Sequence, residues 1–231
     1  MRIRMFLEND DFTKQQEVII DDENFHYLKN VLKVKLKEMI YLFNSNIEIS
    51  FSVKEINKNN IILIKDKIIR NAEFISNFCL LQCIIKGEEM SRAISYAVQS
   101  GITEFIPIIS QNCHIRDVNI ERLKKISYSA LEQSNGLKPM LIRNVQKLKN
   151  FQNESNSKVF FGDLSHRAQT IQEMKQNINL NEKIYILVGP EGGFSEEEID
   201  YLYSKNFIGF CLGNRIFKSE IAGVMIRNIL L

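Results

Sequence analysis

The chain has 231 residues, of which 45% are hydrophobic and 25% are charged, and its formal net charge is +2. These values are typical of folded globular proteins and exclude the disordered, collagen-like and coiled-coil classes. The longest charge-free apolar stretch is Phe74–Ile85, which is shorter than the about 20 residues of a transmembrane helix. The N-terminal segment MRIRMFLENDD becomes acidic where a signal peptide would turn apolar. We therefore expect a cytoplasmic protein without a membrane segment.

Metal ligands and disulfides have little support in the sequence. The four cysteines stand at positions 79, 83, 113 and 211, and none forms a Cys-x-x-Cys pair. A structural zinc site needs a cluster of Cys or His ligands, and a disulfide framework needs a denser set of cysteines. We expect reduced thiols and no bound metal.

The first 72 residues predict a small β-barrel. Five apolar runs have strand length and are separated by turn residues, mostly Asn and Asp. Apolar and polar residues alternate along 47–54, which is the pattern of a strand with one buried face. One or two helical turns are expected within His26–Leu32. The predicted strands are Ile3–Leu7, Val18–Ile20, Met39–Phe43, Ile47–Val53 and Ile61–Ile64.

From residue 73 to residue 231, strands alternate with helix-length segments, which predicts a parallel sheet covered by helices. The first helix ends at Gly101, a typical C′ residue, and the second is capped by Asn119. The predicted strands are Phe78–Ile85, Phe105–Ile109, Met140–Val145, Val159–Phe161, Ile184–Val188 and Phe207–Leu212. The residues expected to face inward on the terminal helix are Ile221, Val224, Met225 and Ile229.

A glycine-rich loop, Gly189–Gly193, follows an apolar strand and precedes a helix whose start is marked by a capping box of Ser195 and Glu198. Open α/β sheets bind ligands at such strand ends. The loop lacks the motif of a P-loop and the spacing of a dinucleotide fingerprint, and Glu191 would repel a phosphate. A ligand with positive character, or one bound by backbone groups, fits better. A tight turn without a ligand is the alternative.

A second loop, 213–220, follows the last predicted strand and has the same layout. Gly213 would let the backbone approach a ligand, and Ile216 and Phe217 would supply apolar walls. Two loops at one sheet edge could enclose a single ligand.

The two loops read GPEGGFSEEEI and LGNRIFKSEIA. Three further segments stand out beside them: HYLKNVLK (26–33), KGEEM (86–90) and SALEQSNGLKP (129–139). Together these segments resemble motifs of the RsmE family, a family of the SPOUT superfamily whose members methylate N3 of a uridine in small-subunit (16S) ribosomal RNA. Arg4 falls on the early arginine of that family.

This resemblance implies a PUA-like barrel for RNA docking at 1–72, and a SPOUT methyltransferase domain with a deep trefoil knot at 73–231. It also implies a homodimer that binds S-adenosylmethionine in the knot and ribosomal RNA or the small ribosomal subunit as substrate. Glu191 and Arg4 are the catalytic candidates. The implied cofactor residues are Leu187, Gly189, Pro190, Glu191, Gly192, Gly193, Leu212, Gly213, Ile216 and Phe217. The implied RNA-binding residues are Arg4, His26, Asn30, Lys33, Lys86 and Lys218.

Two other functions stay open at this point. One is methylation of another rRNA site or of tRNA by an enzyme of the same superfamily. The other is RNA binding without catalysis, because Phe217, Lys218 and Ile221 replace the Leu, Arg and Thr that are usual in the terminal motif. A weaker alternative is a nucleotide-binding enzyme that uses the glycine-rich loop for phosphate.

Overall fold

The computed structural model describes residues 2–71, 77–176, 178–179, 181–213 and 216–230. The chain divides into two compact units. The first contains residues 1–74 and also 131–138, and the second contains 75–130 and 139–231. The first unit therefore includes a segment from later in the chain. The predicted division into 1–72 and 73–231 has a single boundary and does not include this segment.

The first unit is built on a five-stranded sheet with the order β1-β3-β4-β5-β2, in which β1 and β3 are parallel and the other pairs are antiparallel. All five predicted strands are confirmed. The strands are β1 (Ile3–Phe6), β2 (Glu17–Ile20), β3 (Met39–Phe43), β4 (Ile47–Ile56) and β5 (Ile61–Asn71). The helical segments are α1 (Asp11–Lys14), α2 (Asp22–His26) and a π-helical turn, Tyr27–Val31.

One hydrophobic core fills the inside of this sheet. Met5 of β1 and Val18 of β2 belong to the same core, although their strands are the two edges of the paired order. This arrangement requires a sheet that curves around one interior, as in a barrel.

A buried carboxylate organises the arginines of the first unit. Glu48 of β4 is 0% exposed and accepts hydrogen bonds from Nε of Arg4 and Nε of Arg70, each at 2.7 Å. Arg2 approaches the same carboxylate at 3.3 Å. Burial opposes ionisation of Glu48, but the hydrogen bonds from Arg4 and Arg70 outweigh this effect and lower its pKa.

Arg4 also holds the segment 131–138 in the first unit. Its guanidinium lies over the Phe43 ring, 4.0 Å from the ring centroid. The backbone carbonyl groups that accept its remaining hydrogen bonds belong to Leu131, Glu132, Ser134 and Gly136. A side chain from the first strand therefore satisfies the polar backbone of a segment far along the chain.

The second unit contains a sheet with the order β12-β10-β11-β6-β7-β8, in which β9 also pairs with β7 and every pair is parallel. The predicted parallel sheet is thus confirmed. The strands are β6 (Phe78–Cys83), β7 (Glu104–Ile109), β8 (Leu141–Ile142), β9 (Gln146–Lys147), β10 (Ser157–Gly162), β11 (Lys183–Val188) and β12 (Ile208–Phe210). The helices that follow α2 along the chain are α3 (Gly87–Gln99), α4 (Ile120–Gln133), α5 (Ile171–Gln176), α6 (Glu196–Ser204) and α7 (Ser219–Leu230).

Two features of the second unit differ from the prediction. The strand predicted over Met140–Val145 is shortened to β8, because exposed Arg143 and Asn144 interrupt the apolar run, and β9 begins only after the predicted range, at Gln146. The buried face of α7 consists of Gly223, Ile226 and Leu230 together with Glu220, rather than the four residues predicted.

The close packing of α7 against β6 explains why Gly223 lies on the buried face of the helix. A Cβ atom at this position would lie 2.5 Å from Cδ1 of Leu80 in β6. Only glycine lets the helix approach the strand this closely. Apolar residues surround most of α7, so their spacing does not distinguish its buried face.

The cysteines agree with the prediction from their spacing. All four are free thiols, and Cys79, Cys83 and Cys113 are buried. Within the described ranges, no helix is long and apolar enough to cross a membrane.

We predict that Glu48→Gln lowers the free energy of unfolding by about 3 kcal/mol, because it leaves the buried guanidinium of Arg4 without its ionic partner. Since the folded-state pKa of Glu48 is lowered, the stabilisation is present above the unfolded-state pKa of the carboxyl and is lost as pH falls through the folded-state value. Urea unfolding of the wild type and of Glu48→Gln, at pH values above and below the titration of Glu48, measures the difference in the free energy of unfolding.

The matched control is Glu17→Gln, which removes the same charge from an exposed ion pair with Lys54. Exposed pairs contribute little to stability, so this variant should unfold like the wild type. Equal effects of the two substitutions would contradict the role given to Glu48.

Candidate functional site

A cavity of about 720 Å³ opens at the carboxyl edge of the parallel sheet. The ends of β10, β11 and β12, the glycine-rich loop and the start of α7 line this cavity. Its volume is within the range of small-molecule sites, about 300 to 1,000 Å³. The sheet topology therefore places a ligand-sized space where open α/β sheets bind ligands.

Most of the predicted cofactor residues line this one cavity. Leu187 lies instead in the hydrophobic core, and Gly213 does not line the cavity. The predicted residues that do line it are Gly189, Pro190, Glu191, Gly192, Gly193, Leu212, Ile216 and Phe217.

Hydrogen bonds from the start of α7 and from the segment after β7 hold the glycine-rich loop. The carbonyl oxygen of Gly189 accepts a hydrogen bond from Oγ of Ser219 at 2.6 Å. Oγ of Ser219 in turn accepts a hydrogen bond from Nε2 of Gln82 at 2.7 Å. Nδ2 of Asn112 donates to the carbonyl oxygens of Gly192 at 3.3 Å and Gly193 at 3.0 Å. The loop is therefore fixed at both of its ends.

The predicted capping box at the start of α6 is confirmed. Oγ of Ser195 accepts from the backbone N of Glu198, and Oε2 of Glu198 accepts from the backbone N of Ser195, each at 3.2 Å. The other carboxylate oxygen of Glu198 accepts from the backbone N of Gln111 at 2.8 Å. The helix start is thus joined to the same segment that carries Asn112.

Carboxylates are prominent around the cavity. Glu191 is exposed, and its Oε1 lies 3.4 Å from the backbone N of Lys86, from which it accepts a hydrogen bond. Asp163 and Glu220 are buried, and Glu89 is partly exposed. Lys86 and Lys218 are the lysines of the lining. This excess of negative groups favours a ligand with positive charge.

Asp163 was missed by the sequence analysis, although it stands directly after β10 as Gly189 stands after β11. Burial opposes its ionisation, but hydrogen bonds from Ser165 and Tyr203 outweigh burial and lower its pKa. Burial and the hydrogen bond to Asp163 raise the pKa of Tyr203 to about 12. Asp163 is therefore a carboxylate and Tyr203 a neutral donor at neutral pH. The position of Asp163 at a strand end was the available signal.

The structure contradicts the predictions that Arg4 contacts RNA and acts in catalysis. Arg4 is 5% exposed, and its guanidinium donates to Glu48 and to backbone carbonyl groups within the first unit. The hydrogen-bond donors that a phosphate would require are already occupied. The early arginine therefore has a structural role in this chain.

The other predicted RNA-binding residues are exposed and fall into two groups. His26, Asn30 and Lys33 lie in the first unit, where Nδ1 of His26 is 2.6 Å from Nδ2 of Asn30. Lys86 and Lys218 lie in the second unit, at the cavity. Among the residues whose positions are described, no cluster of side chains is suited to hold a metal ion.

Comparison with known families gives two matches. Residues 73–231 match the model of an RNA methyltransferase domain, and residues 20–66 match that of an RNA methyltransferase PUA domain. The ribosomal RNA small subunit methyltransferase E of Rickettsia conorii is 32% identical over 209 residues, which cover 89% of this chain and 85% of the relative. The enzyme of the same name from Buchnera aphidicola subsp. Schizaphis graminum is 32% identical over 220 residues, covering 90% of this chain and 87% of the relative.

A solved structure supports the assignment at the level of fold. It is the ribosomal RNA small subunit methyltransferase E of Neisseria gonorrhoeae bound to S-adenosyl methionine, with a TM-score of 0.83 and 23% identity. The superposition covers 99% of this chain and 96% of that chain. The motifs, the two kinds of domain and the relatives lead to one conclusion: the chain belongs to the ribosomal RNA small subunit methyltransferase E family.

Proposed function

We propose that this protein transfers a methyl group from S-adenosylmethionine to N3 of a specific uridine in small-subunit (16S) ribosomal RNA. The observation that carries the proposal is the cavity at the carboxyl edge of the parallel sheet, in a chain that belongs to this methyltransferase family. Both loops that the family motifs single out border that cavity.

The residues of the cavity fit the cofactor. Phe210, Ile216 and Phe217 provide apolar surface for a nucleoside base. The glycines of the loop have no side chains that would keep a ligand away from the backbone, and the carboxylates suit a sulfonium cation. Bound there, S-adenosylmethionine would supply an electrophilic methyl group.

The chain contributes mainly positioning to the reaction. Methyl transfer requires the accepting nitrogen, the methyl carbon and the sulfur to lie in line, and correct placement of two reactants lowers a barrier by about 7 to 11 kcal/mol. N3 lies on the Watson–Crick edge, so the uridine has to leave its pair or stack.

The N3 proton also has to be removed. We infer that Glu191, an exposed carboxylate at the cavity, accepts it.

RNA docking is assigned to the PUA-like domain, for which we keep the predicted range 1–72, with the methyltransferase domain at 73–231. His26, Asn30 and Lys33 would contact the RNA there, while Lys86 and Lys218 would contact it beside the cavity. Lysine side chains can pair with phosphates as point charges. We further propose cytoplasmic location, because ribosomal RNA is the substrate.

A deep trefoil knot and a homodimer are parts of the same proposal. The knot is supported by the path of the C-terminal segment, because β12 is an edge strand whereas the following helix α7 contacts β11 and β6 in the middle of the sheet. The chain therefore returns from the edge of the sheet to its middle between β12 and α7. Family membership supports the homodimer.

RNA binding without catalysis is the competing function, and the replacements at Phe217, Lys218 and Ile221 favour it. Methylation of another rRNA site or of tRNA is a third possibility within the same chemistry.

The deciding experiment incubates the protein with methyl-labelled S-adenosylmethionine and small subunits from a strain without the homologous methyltransferase. Naked 16S rRNA and tRNA are tested in parallel, and the labelled nucleotide is mapped.

Label at N3 of one uridine in the small subunit would support the proposal. Label in tRNA or at another atom would replace it with a different methyltransferase activity. Cofactor binding without label in any RNA would point to an untested RNA target. Absence of cofactor binding would favour the silent RNA-binding function.

We predict that Asn112→Ala weakens the binding of S-adenosylhomocysteine about 5- to 10-fold, because the loop carbonyl groups of Gly192 and Gly193 lose their donor. Isothermal titration calorimetry measures the dissociation constant. The matched control is Asn153→Ala, which removes an exposed asparagine that donates to Glu154 and Ser157 away from the cavity. Equal affinities for all three proteins would show that Asn112 does not support the cofactor loop.

We predict that Glu191→Gln lowers kcat by about 10²-fold or more, the usual contribution of a general base, with the affinity for S-adenosylhomocysteine unchanged. Glu197→Gln, at an exposed position of α6 outside the cavity, serves as the control. Methylation rates at saturating RNA and cofactor give kcat. Weakened cofactor binding with little change in kcat would instead mean that Glu191 orients the loop.

A further inference from the structure

Asp163 is a buried carboxylate that the mechanism above does not use. It follows β10, is 4% exposed and lines the cavity. Its backbone N donates to the carbonyl oxygen of Phe210 at 2.9 Å, so its position is fixed relative to β12. A buried carboxylate beside a ligand cavity is costly unless its acceptor sites are used.

Three hydrogen bonds hold the carboxylate group of Asp163 in one orientation. Oδ2 accepts from the hydroxyl of Tyr203 at 2.7 Å and from Oγ of Ser165 at 2.6 Å. Oδ1 accepts from the backbone N of Ser165 at 2.9 Å. A carboxylate has about four acceptor sites, so the described contacts leave one site on Oδ1 for a further donor.

The surroundings of Tyr203 maintain this orientation. The guanidinium of Arg167 lies 4.5 Å from the centroid of the Tyr203 ring and pairs with Asp200 at 2.8 Å. A Cβ atom at Gly209 of β12 would collide with the Tyr203 hydroxyl, so the absence of a side chain at this position leaves room for that hydroxyl. The acceptor on Asp163 is therefore prepared before any ligand binds.

Apolar side chains stand next to this acceptor. The carbonyl oxygen of Phe210 accepts the hydrogen bond from the backbone N of Asp163, and Leu164 follows Asp163 in the chain. Phe210, Leu164 and Ile216 line the cavity. A nucleoside combines a flat apolar base with a ribose diol attached directly to it. The combination of apolar walls with one adjacent, fixed carboxylate acceptor matches these two parts of a nucleoside.

We propose that Oδ1 of Asp163 accepts a hydrogen bond from a ribose hydroxyl group of the cofactor, with Tyr203 as the residue that positions its carboxylate. The proposal rests on the proposed function, because the nucleoside is that of S-adenosylmethionine. The ribose is favoured over the ammonium group of the cofactor, since the ribose adjoins the base whereas the ammonium lies at the far end of the methionine portion.

The test compares three ligands by calorimetry on the full chain: S-adenosylhomocysteine, 5′-methylthioadenosine, which lacks the amino-acid portion, and 2′,3′-dideoxy-S-adenosylhomocysteine. We expect Asp163→Asn to weaken the first two by similar factors of roughly 10 to 100. It should change the affinity for the dideoxy ligand little, because that ligand lacks the hydroxyl groups. Glu197→Gln is the control for loss of one carboxylate from the second unit.

Each other result has a separate meaning. Weaker binding of S-adenosylhomocysteine without weaker binding of 5′-methylthioadenosine would place the ammonium at Asp163 and overturn the proposal. Unchanged affinities for all ligands would also overturn it, while leaving the cofactor assignment intact. Failure of the wild type to bind either ribose-containing ligand would contradict the proposed function itself.

Tyr203→Phe provides a second variant that retains the Asp163 carboxylate. It removes one of the three donors to Asp163, so we expect a smaller loss of affinity for S-adenosylhomocysteine than with Asp163→Asn, and again little change for the dideoxy ligand. If Asp163→Asn does not fold, as judged by circular dichroism, this variant decides the question. Equal losses for the two ligands would mean that Tyr203 acts only on stability.

Discussion

The site depends on the constraint that hydrogen bonds impose on the carbonyl groups of the glycine-rich loop. A loop with three glycines has many accessible conformations, and fixing them costs conformational entropy. Ser219 holds one end of the loop, at Gly189, and Asn112 holds the other, at Gly192 and Gly193. The donors come from the start of α7 and from the segment after β7, so the sheet must be assembled before the loop has its shape.

This dependence explains what the sequence could and could not predict. The capping box of Ser195 and Glu198 and the left-handed Gly101 are local features, and both are confirmed because their partners lie within a few residues. Asn112 and Asp163 act across strands that are adjacent only in the folded sheet. Their neighbours follow from the strand order, which residue spacing does not determine. The buried face of α7 was mispredicted because an almost wholly apolar helix has no distinct polar face.

Arg4 shows the limit of inference from charge and motif. An arginine near a chain terminus in an RNA-modifying family suggests contact with phosphate, yet its guanidinium is enclosed by Glu48, the Phe43 ring and backbone carbonyl groups. The carboxylate that neutralises it lies on a different strand, β4. Nothing in the spacing of the two residues indicates this pairing, because β1 pairs with β3 and not with β4. Burial, rather than residue type, decides its role.

The inclusion of 131–138 in the first unit has a consequence for folding during translation. The five strands of that unit emerge from the ribosome well before this segment does. Until it arrives, the guanidinium of Arg4 lacks the carbonyl groups of Leu131, Glu132, Ser134 and Gly136. The N-terminal domain therefore reaches its final structure only when much of the second unit has already been synthesised.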